Sequence, residues 1–197
     1  MITKNIWCFM VVFLLVGCKS WTPAAITIAK KTISPKLLTL ENTADELGKS
    51  LIYRTSVDEL KIFNQELEEN LTDPYGTKYG YISYKSRLID YKLGLGYYIV
   101  STLLMTIPNL LGLPFMNIKY EIESEIRILD RNKKLLAKFS AVGKSKTIVA
   151  YYYGYSLKYA TRKTYIEAII DGLNMLRPQI EKEAININEK LQTAGKI

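Results

Sequence analysis

A strict alternation of side-chain character over residues 118–129 constrains the fold more than any other feature of the chain. Isoleucine, tyrosine and serine occupy every second position, and charged residues fill nearly all the positions between them. Because successive side chains of a β-strand point to opposite faces, this pattern predicts a strand with one face buried and one in solvent. Residues 130–133 have turn composition, and Leu135–Val142 predicts the returning arm of a hairpin.

Helical patterns flank this hairpin on both sides. Ser56–Leu71 repeats apolar residues at three- and four-residue spacing, and Ser56 with Glu59 matches a capping box, so that the remaining acidic residues are expected to face solvent. Leu157–Leu176 has the same spacing. Pro178 is expected to break or kink this helix, and Gln179–Gln192 to continue it with a narrower apolar stripe.

The remaining segments complete the predicted fold. Glu41–Ile52 predicts a short helix and Tyr79–Tyr91 a strand, whereas Gly143–Thr147 has loop composition. Helices at both ends of an antiparallel hairpin are typical of α+β folds. We therefore predict a single α+β domain over residues 41–197, with a small antiparallel sheet whose central hairpin is packed by N-terminal and C-terminal helices.

An apolar segment interrupts this domain at residues 93–117. No charged residue occurs between Lys92 and Lys119. Three interpretations stay open: a buried helix and loop in the core, a hairpin that dips into a membrane surface, and a membrane span. The length permits a span, but glycines, prolines and polar residues interrupt it, and Pro108 would kink or end a helix.

The N-terminal residues have the three-part pattern of a secretory signal peptide. Lys4 precedes an uncharged apolar run, Ile6–Val16, which is followed by Gly17 and Cys18. A helix over that run rises only about 16 Å, roughly half of a ~30 Å hydrocarbon core. The pattern therefore favours a signal peptide over residues 1–17 that is removed rather than a membrane span.

The tetrapeptide Leu15-Val16-Gly17-Cys18 resembles the lipobox of bacterial lipoproteins. The resemblance implies cleavage before Cys18 and attachment of acyl chains such as palmitate at that residue. Two or more chains make such an anchor stable, since each buried CH₂ contributes roughly 0.8 kcal/mol. Residues 18–40 would then form a lipidated tether. By analogy with enteric sorting, Lys19 favours the outer membrane, with the protein facing the periplasm.

Composition excludes the commonest catalytic sites. The chain has no histidine, and its two cysteines are Cys8, in the predicted signal peptide, and Cys18. This excludes a catalytic triad with histidine and a zinc site of Cys and His ligands, and we predict no enzymatic activity and no cofactor. The net charge is +8. In an exported protein this favours anionic lipid or an envelope protein as partner over nucleic acid.

Carboxylates and tyrosines form the remaining candidate sites. Glu121, Glu123 and Glu125 lie about 7 Å apart on one strand face, within the range of glycosidase pairs. Because no apolar pocket is evident there, we interpret them as a solvated face opposite lysines such as Lys138. A candidate interaction surface for sugar or lipid consists of Tyr151, Tyr152, Tyr153 and Tyr155, although such residues also pack in cores.

Three functional classes remain, and each makes a structural prediction. We favour a non-catalytic, membrane-anchored envelope lipoprotein, a binding or accessory component of an outer-membrane assembly or transport system, which requires an exposed apolar or aromatic patch. A lipid or glycan carrier would enclose a pocket lined by residues 93–115 and the tyrosines. A carboxylate-dependent hydrolase would bring two acidic groups together in a cleft, one with a raised pKa.

Overall fold

A computed structural model describes residues 28–43, 55–151 and 157–197 of the chain. The fold is α+β, as predicted. The strands are β1 (Leu40–Asn42), β2 (Gly80–Gly94), β3 (Met116–Asp130) and β4 (Leu135–Val149). The helices are α1 (Thr55–Glu66), α2 (Gly96–Leu103), α3 (Ile107–Leu110) and α4 (Leu157–Ala194), and a π-helical turn, Leu67–Leu71, follows α1. The predicted signal peptide and Cys18 lie outside the described residues.

The strands form one mixed sheet in the order β1-β2-β3-β4. Strand β1 pairs in parallel with β2, with Leu40 opposite Gly80. Strands β3 and β4 form the predicted hairpin, closed by a 3.0 Å hydrogen bond from the backbone N–H of Asp130 to the carbonyl of Lys134. The sequence predicted a small antiparallel sheet with a central hairpin, and the structure adds one parallel strand, β1, at the edge. Residues 41–42, predicted as the start of a helix, extend a strand because β2 offers them backbone partners.

The alternation over β3 is confirmed, whereas the length of β4 was underestimated. Every second residue of β3 from Ile118 to Ile128 is buried. Strand β4 continues through residues 143–147, which were predicted as a loop. Lys144 and Lys146 are exposed there, and Thr147 is buried. The two lysines therefore occupy the solvent face of a strand that remains paired with β3.

The described residues divide into two compact units. Unit 1 comprises residues 92–119, 146–151 and 157–163, and unit 2 comprises residues 28–43, 55–91, 120–145 and 164–197. In unit 2, helix α4 packs closely on β4. A Cβ atom added to Gly143 would lie 1.9 Å from the carbonyl oxygen of Ala168 and 2.3 Å from the backbone nitrogen of Gly172.

Residues 28–40 belong to the folded part of unit 2, whereas the sequence predicted a tether there. Ile28, Ile33 and Leu37 are buried. The backbone N–H of Ile33 donates to the carbonyl of Asn70 (3.1 Å), and that of Leu37 donates to the carbonyl of Leu71 (2.9 Å). The short apolar runs among the lysines therefore supply core side chains, which a tether would leave in solvent.

Helix α4 runs without interruption through Pro178, where a break or kink was predicted. Proline removes one backbone N–H, and the carbonyl four residues earlier, at Asn174, loses its helical partner. Both Pro178 and Asn174 are exposed, so water can solvate that carbonyl. Burial of Leu176 and Ile180 on the opposite side stabilises the continuous helix.

Candidate functional site

The row of glutamates on β3 is an ion-paired strand face, as predicted. Burial alone would raise the pKa of Glu125, but hydrogen bonds from Lys138 and Arg127 outweigh it and hold the pKa below its usual range. Because its carboxylate is held ionised in this way, Glu125 cannot act as a general acid near neutral pH. The cross-strand pairs are Lys144–Glu121 at 3.5 Å, Arg87–Glu123 at 2.8 Å and Lys138–Glu125 at 2.9 Å.

Glu59 is a buried acidic residue, and its burial was not predicted from the sequence. Its side chain is 1% exposed and accepts a hydrogen bond from the Tyr165 hydroxyl. Burial raises its pKa from 4.5 to about 7, a hydrogen bond with Ser86 opposes the rise, and the Asp58 charge adds to it. Glu59 points into the core, so it does not reach back to the start of helix α1 as the predicted capping box requires. The side chain of Ser56, the other half of that box, lies outside the described part of the structure.

Glu66 and Arg177 form a buried ion pair between α1 and α4. Both side chains are almost fully buried. The guanidinium donates to both carboxylate oxygens, with a distance of 2.5 Å from Arg177 Nη2 to Glu66 Oε2. Asn70 Nδ2 donates a further hydrogen bond of 2.8 Å to Glu66 Oε2. The prediction that Glu66 faces solvent was wrong, because α4 supplies a cation.

Both of these buried carboxyls are engaged by partners within unit 2. Glu59 meets one requirement of the hydrolase class, a raised pKa, but its 1% exposure leaves a substrate no access. The Glu66 carboxylate is saturated by Arg177 and Asn70. Within residues 28–43, 55–151 and 157–197, no cluster of three or more His, Cys, Asp and Glu side chains has a metal-binding arrangement.

Residues 95–113 in unit 1 form a surface of exposed apolar side chains, named here the apolar surface. It consists of α2, α3 and the residues beside them. Leu103, Met105 and Leu111 are the most exposed, at 77%, 83% and 82%. A concentration of exposed apolar side chains in one segment is typical of an interaction site. The exposed members are Leu95, Tyr97, Tyr98, Ile99, Val100, Leu103, Leu104, Met105, Ile107, Leu110, Leu111 and Leu113.

This arrangement differs from the interpretation of residues 93–117 as a core segment. The pattern of apolar residues was evident in the sequence, but their exposure depends on what the rest of the fold leaves uncovered. Among the residues that the structure describes, no helix combines the length and the apolar character needed to cross a membrane.

The polar side chains of the apolar surface are satisfied within the segment itself. Ser101 and Asn109 are buried and hydrogen bonded to each other, and Asn109 Nδ2 donates to the carbonyl of Leu113 at 3.0 Å. The Thr102 hydroxyl donates to the carbonyl of Tyr98 at 2.8 Å, and that of Thr106 to the carbonyl of Met105 at 2.6 Å. These four side chains therefore find their partners within the segment, although Thr102 and Thr106 are themselves exposed.

Of the four tyrosines in the predicted interaction surface, the structure describes one, Tyr151. Tyr151 is 59% exposed and stacks edge-on against Phe115, with 4.2 Å between ring centroids. Phe115 is joined to the end of β4 by a 2.8 Å hydrogen bond from its N–H to the carbonyl of Val149. Tyr152, Tyr153 and Tyr155, like Cys18, lie outside the described residues.

Comparisons with known proteins do not identify a function for this chain. No family model and no curated protein matches the sequence. Solved structures with some likeness include a lipoprotein candidate of Caulobacter crescentus, at 10% identity and a TM-score of 0.38 over 78% of this chain and 90% of the other. A candidate homologue of the neuraminyllactose-binding haemagglutinin from Helicobacter pylori has 7% identity and a TM-score of 0.41 over 86% and 95%. A minor lipoprotein from Acinetobacter baumannii has 13% identity and a TM-score of 0.29 over 76% and 90%.

Proposed function

We propose that the protein is a non-catalytic lipoprotein of the bacterial cell envelope, held at the outer membrane by acyl chains on Cys18. It serves there as a binding or accessory component of an assembly or transport system. The exposed apolar surface carries this proposal, because a binding component is the one functional class of the three that requires an exposed apolar patch.

The two alternative classes receive less support from the same residues. A carrier would turn residues 93–115 inward around a ligand, whereas Leu103, Met105 and Leu111 point to solvent. A hydrolase would need an accessible carboxyl with a raised pKa, and Glu59 is enclosed. The lipobox resemblance at Leu15-Val16-Gly17-Cys18 supports the envelope location.

The mass of the mature N-terminus tests the anchor. The full chain and Cys18→Ser are produced in a bacterial host, and the N-terminal fragment is measured by mass spectrometry after separation of inner and outer membranes by density. We expect the wild-type chain in the outer-membrane fraction, beginning at Cys18 and carrying acyl chains, and Cys18→Ser to retain residues 1–17 without lipid. Cys8→Ser is the matched control and should be processed like wild type. A wild-type chain without lipid at Cys18 would refute the proposal.

A further inference from the structure

Charge is segregated between the two units. Residues 92–119 and 146–163, which include all the described residues of unit 1, contain no aspartate or glutamate, although the chain has 19 acidic residues. A unit with charge of one sign complements a surface of the opposite sign, and anionic phospholipid headgroups form such a surface. The charged residues in these two ranges are Lys92, Lys119, Lys146, Lys158, Arg162 and Lys163.

Tyrosine is concentrated in the same part of the chain. Tyr97 and Tyr98 open helix α2 and are about half exposed, at 48% and 52%. Tyrosine has an apolar ring and a polar hydroxyl, and it is enriched at the headgroup level of membrane proteins for that reason. The sequence places five more tyrosines in residues 146–163: Tyr151, Tyr152, Tyr153, Tyr155 and Tyr159.

Four polar side chains of the apolar surface also meet the requirement that a bilayer places on polar groups. Hydrocarbon offers no hydrogen-bond partners, so a segment that enters it must satisfy its own polar groups. Ser101, Thr102, Thr106 and Asn109 each have a partner within residues 98–113. This internal pairing is compatible with insertion into lipid.

The size of the segment fits insertion into one leaflet. Helix α2 has 8 residues and therefore rises about 12 Å, well short of a ~30 Å hydrocarbon core. Amphipathic elements that lie in the interface bury their apolar side to a depth of about 5–10 Å. Leu103, Met105 and Leu111 are the side chains that would reach deepest, because they are the most exposed.

We propose that the apolar surface inserts into the headgroup–acyl boundary of an anionic phospholipid bilayer, as a second membrane contact in addition to the lipid on Cys18. The inference rests on the proposed function, since the acyl anchor keeps the protein at a membrane. A second copy of the chain is a poorer occupant of the surface, because it would bring two basic units together. Two contacts would orient the protein on the bilayer, whereas a single lipid anchor would let it rotate.

A single-tryptophan reporter in the full chain tests this insertion. Trp7 and Trp21 are the two tryptophans of the chain, and both are replaced by phenylalanine. Leu104→Trp then places the reporter on the apolar surface, and Ile185→Trp places it on exposed α4 in unit 2 as the matched control. The protein is reconstituted in phosphatidylcholine vesicles containing phosphatidylglycerol, with and without brominated acyl chains, which quench tryptophan on contact.

Insertion predicts a blue-shifted Leu104→Trp emission that falls about twofold or more with brominated lipid, and an unchanged Ile185→Trp emission. Adding Leu103→Asp and Leu111→Asp should abolish the quenching, and both positions are exposed, so the fold should persist. If the chain floats with the vesicles but Leu104→Trp is quenched no more than Ile185→Trp, the insertion is refuted and the anchor stands.

The remaining outcomes separate the two proposals. Quenching of Leu104→Trp in a chain that lacks lipid at Cys18 would support the insertion and refute the anchor. A blue-shifted Leu104→Trp that brominated lipid does not quench, in a chain that sediments as a dimer or with a protein partner, would show protein covering the apolar surface and would refute the insertion.

Discussion

The buried carboxyl of Glu59 makes the stability of unit 2 depend on pH. Burial, partly offset by a hydrogen bond with Ser86, raises the pKa of Glu59 to about 7. Between its usual pKa of 4.5 and about 7, the folded protein holds a proton that the unfolded chain has released. The free energy of unfolding therefore falls as the pH rises through this window, by up to about 3 kcal/mol.

Replacing this carboxyl should remove the pH dependence. We expect Glu59→Gln to resemble wild type near pH 4 and to be more stable at pH 8 by up to about 3 kcal/mol, because the amide cannot ionise. Urea denaturation across this range measures the difference. Glu125→Gln is the control, and it should leave the slope above pH 5 unchanged because ion pairing holds the pKa of Glu125 below its usual range. Parallel stability curves for wild type and Glu59→Gln would contradict this account of Glu59.

Replacing only one partner of the buried Glu66–Arg177 ion pair should strongly lower the free energy of unfolding. Arg177→Met leaves a buried carboxylate without its cation, and we expect a loss of about 3–5 kcal/mol in the free energy of unfolding. Combining it with Glu66→Leu should recover most of that loss. The control Arg127→Met breaks an exposed pair with Glu125 and should cost about 1 kcal/mol or less. A double variant no more stable than Arg177→Met would contradict the pairing.

These acidic residues explain where sequence reasoning failed at the residue scale. The spacing of apolar residues in α1 leaves Glu59 and Glu66 off the apolar stripe. From that spacing, Glu59 was predicted to cap the helix and Glu66 to face solvent. Their burial is decided by Tyr165 and Arg177, more than a hundred positions along the chain. Partners at such separations have no local signal in one sequence.

At the scale of elements, the contact of α4 with β4 depends on a glycine. Alanine at Gly143 would bring its Cβ to 1.9 Å from the Ala168 carbonyl oxygen, so the helix must move. We expect Gly143→Ala to lower the free energy of unfolding by about 3 kcal/mol or more. A Cβ at Gly96 meets no atom within 4 Å, and Gly96→Ala should change stability by about 1 kcal/mol or less. Thermal denaturation of the two variants compares them, and equal effects would contradict the close packing.

The continuity of α4 makes a second prediction at this scale. Pro178→Ala restores a backbone N–H that can donate to the exposed carbonyl of Asn174. We expect a gain of about 1–2 kcal/mol in the free energy of unfolding, after the greater freedom of the unfolded chain is subtracted. Chemical denaturation measures it, with the exposed neighbour Gln179→Ala as control. A loss of stability in Pro178→Ala would indicate that the proline is required by the helix.

Elements with a strong local pattern were predictable and elements that depend on distant pairing were not. The alternation in β3 identifies its buried face directly. The three residues of β1 form a strand only because β2 lies beside them, and the lysines of residues 144–146 belong to β4 only because β3 continues opposite. Strand propensity depends on such context, which one sequence does not contain.

At the scale of the whole molecule, the sequence was enough to locate the candidate site along the chain. It was not enough to predict that the side chains of the site are exposed to solvent. The uncharged segment between Lys92 and Lys119 is evident in the sequence. Its exposure, and the inward pairing of Ser101 with Asn109, required the fold. The absence of acidic residues from residues 92–119 and 146–163 is also a sequence property. Only the fold shows that the described residues of these two ranges belong to one unit.

Hydrogen–deuterium exchange on vesicles tests the central claim, that the apolar surface is the binding face of a membrane-anchored protein. The wild-type chain is compared on phosphatidylcholine vesicles with and without phosphatidylglycerol. We predict that exchange of the amides in residues 96–113 slows on the anionic vesicles, while amides of unit 2, such as those of residues 179–194, exchange at the same rate on both. Unchanged exchange in residues 96–113, or protection confined to unit 2, would contradict the account.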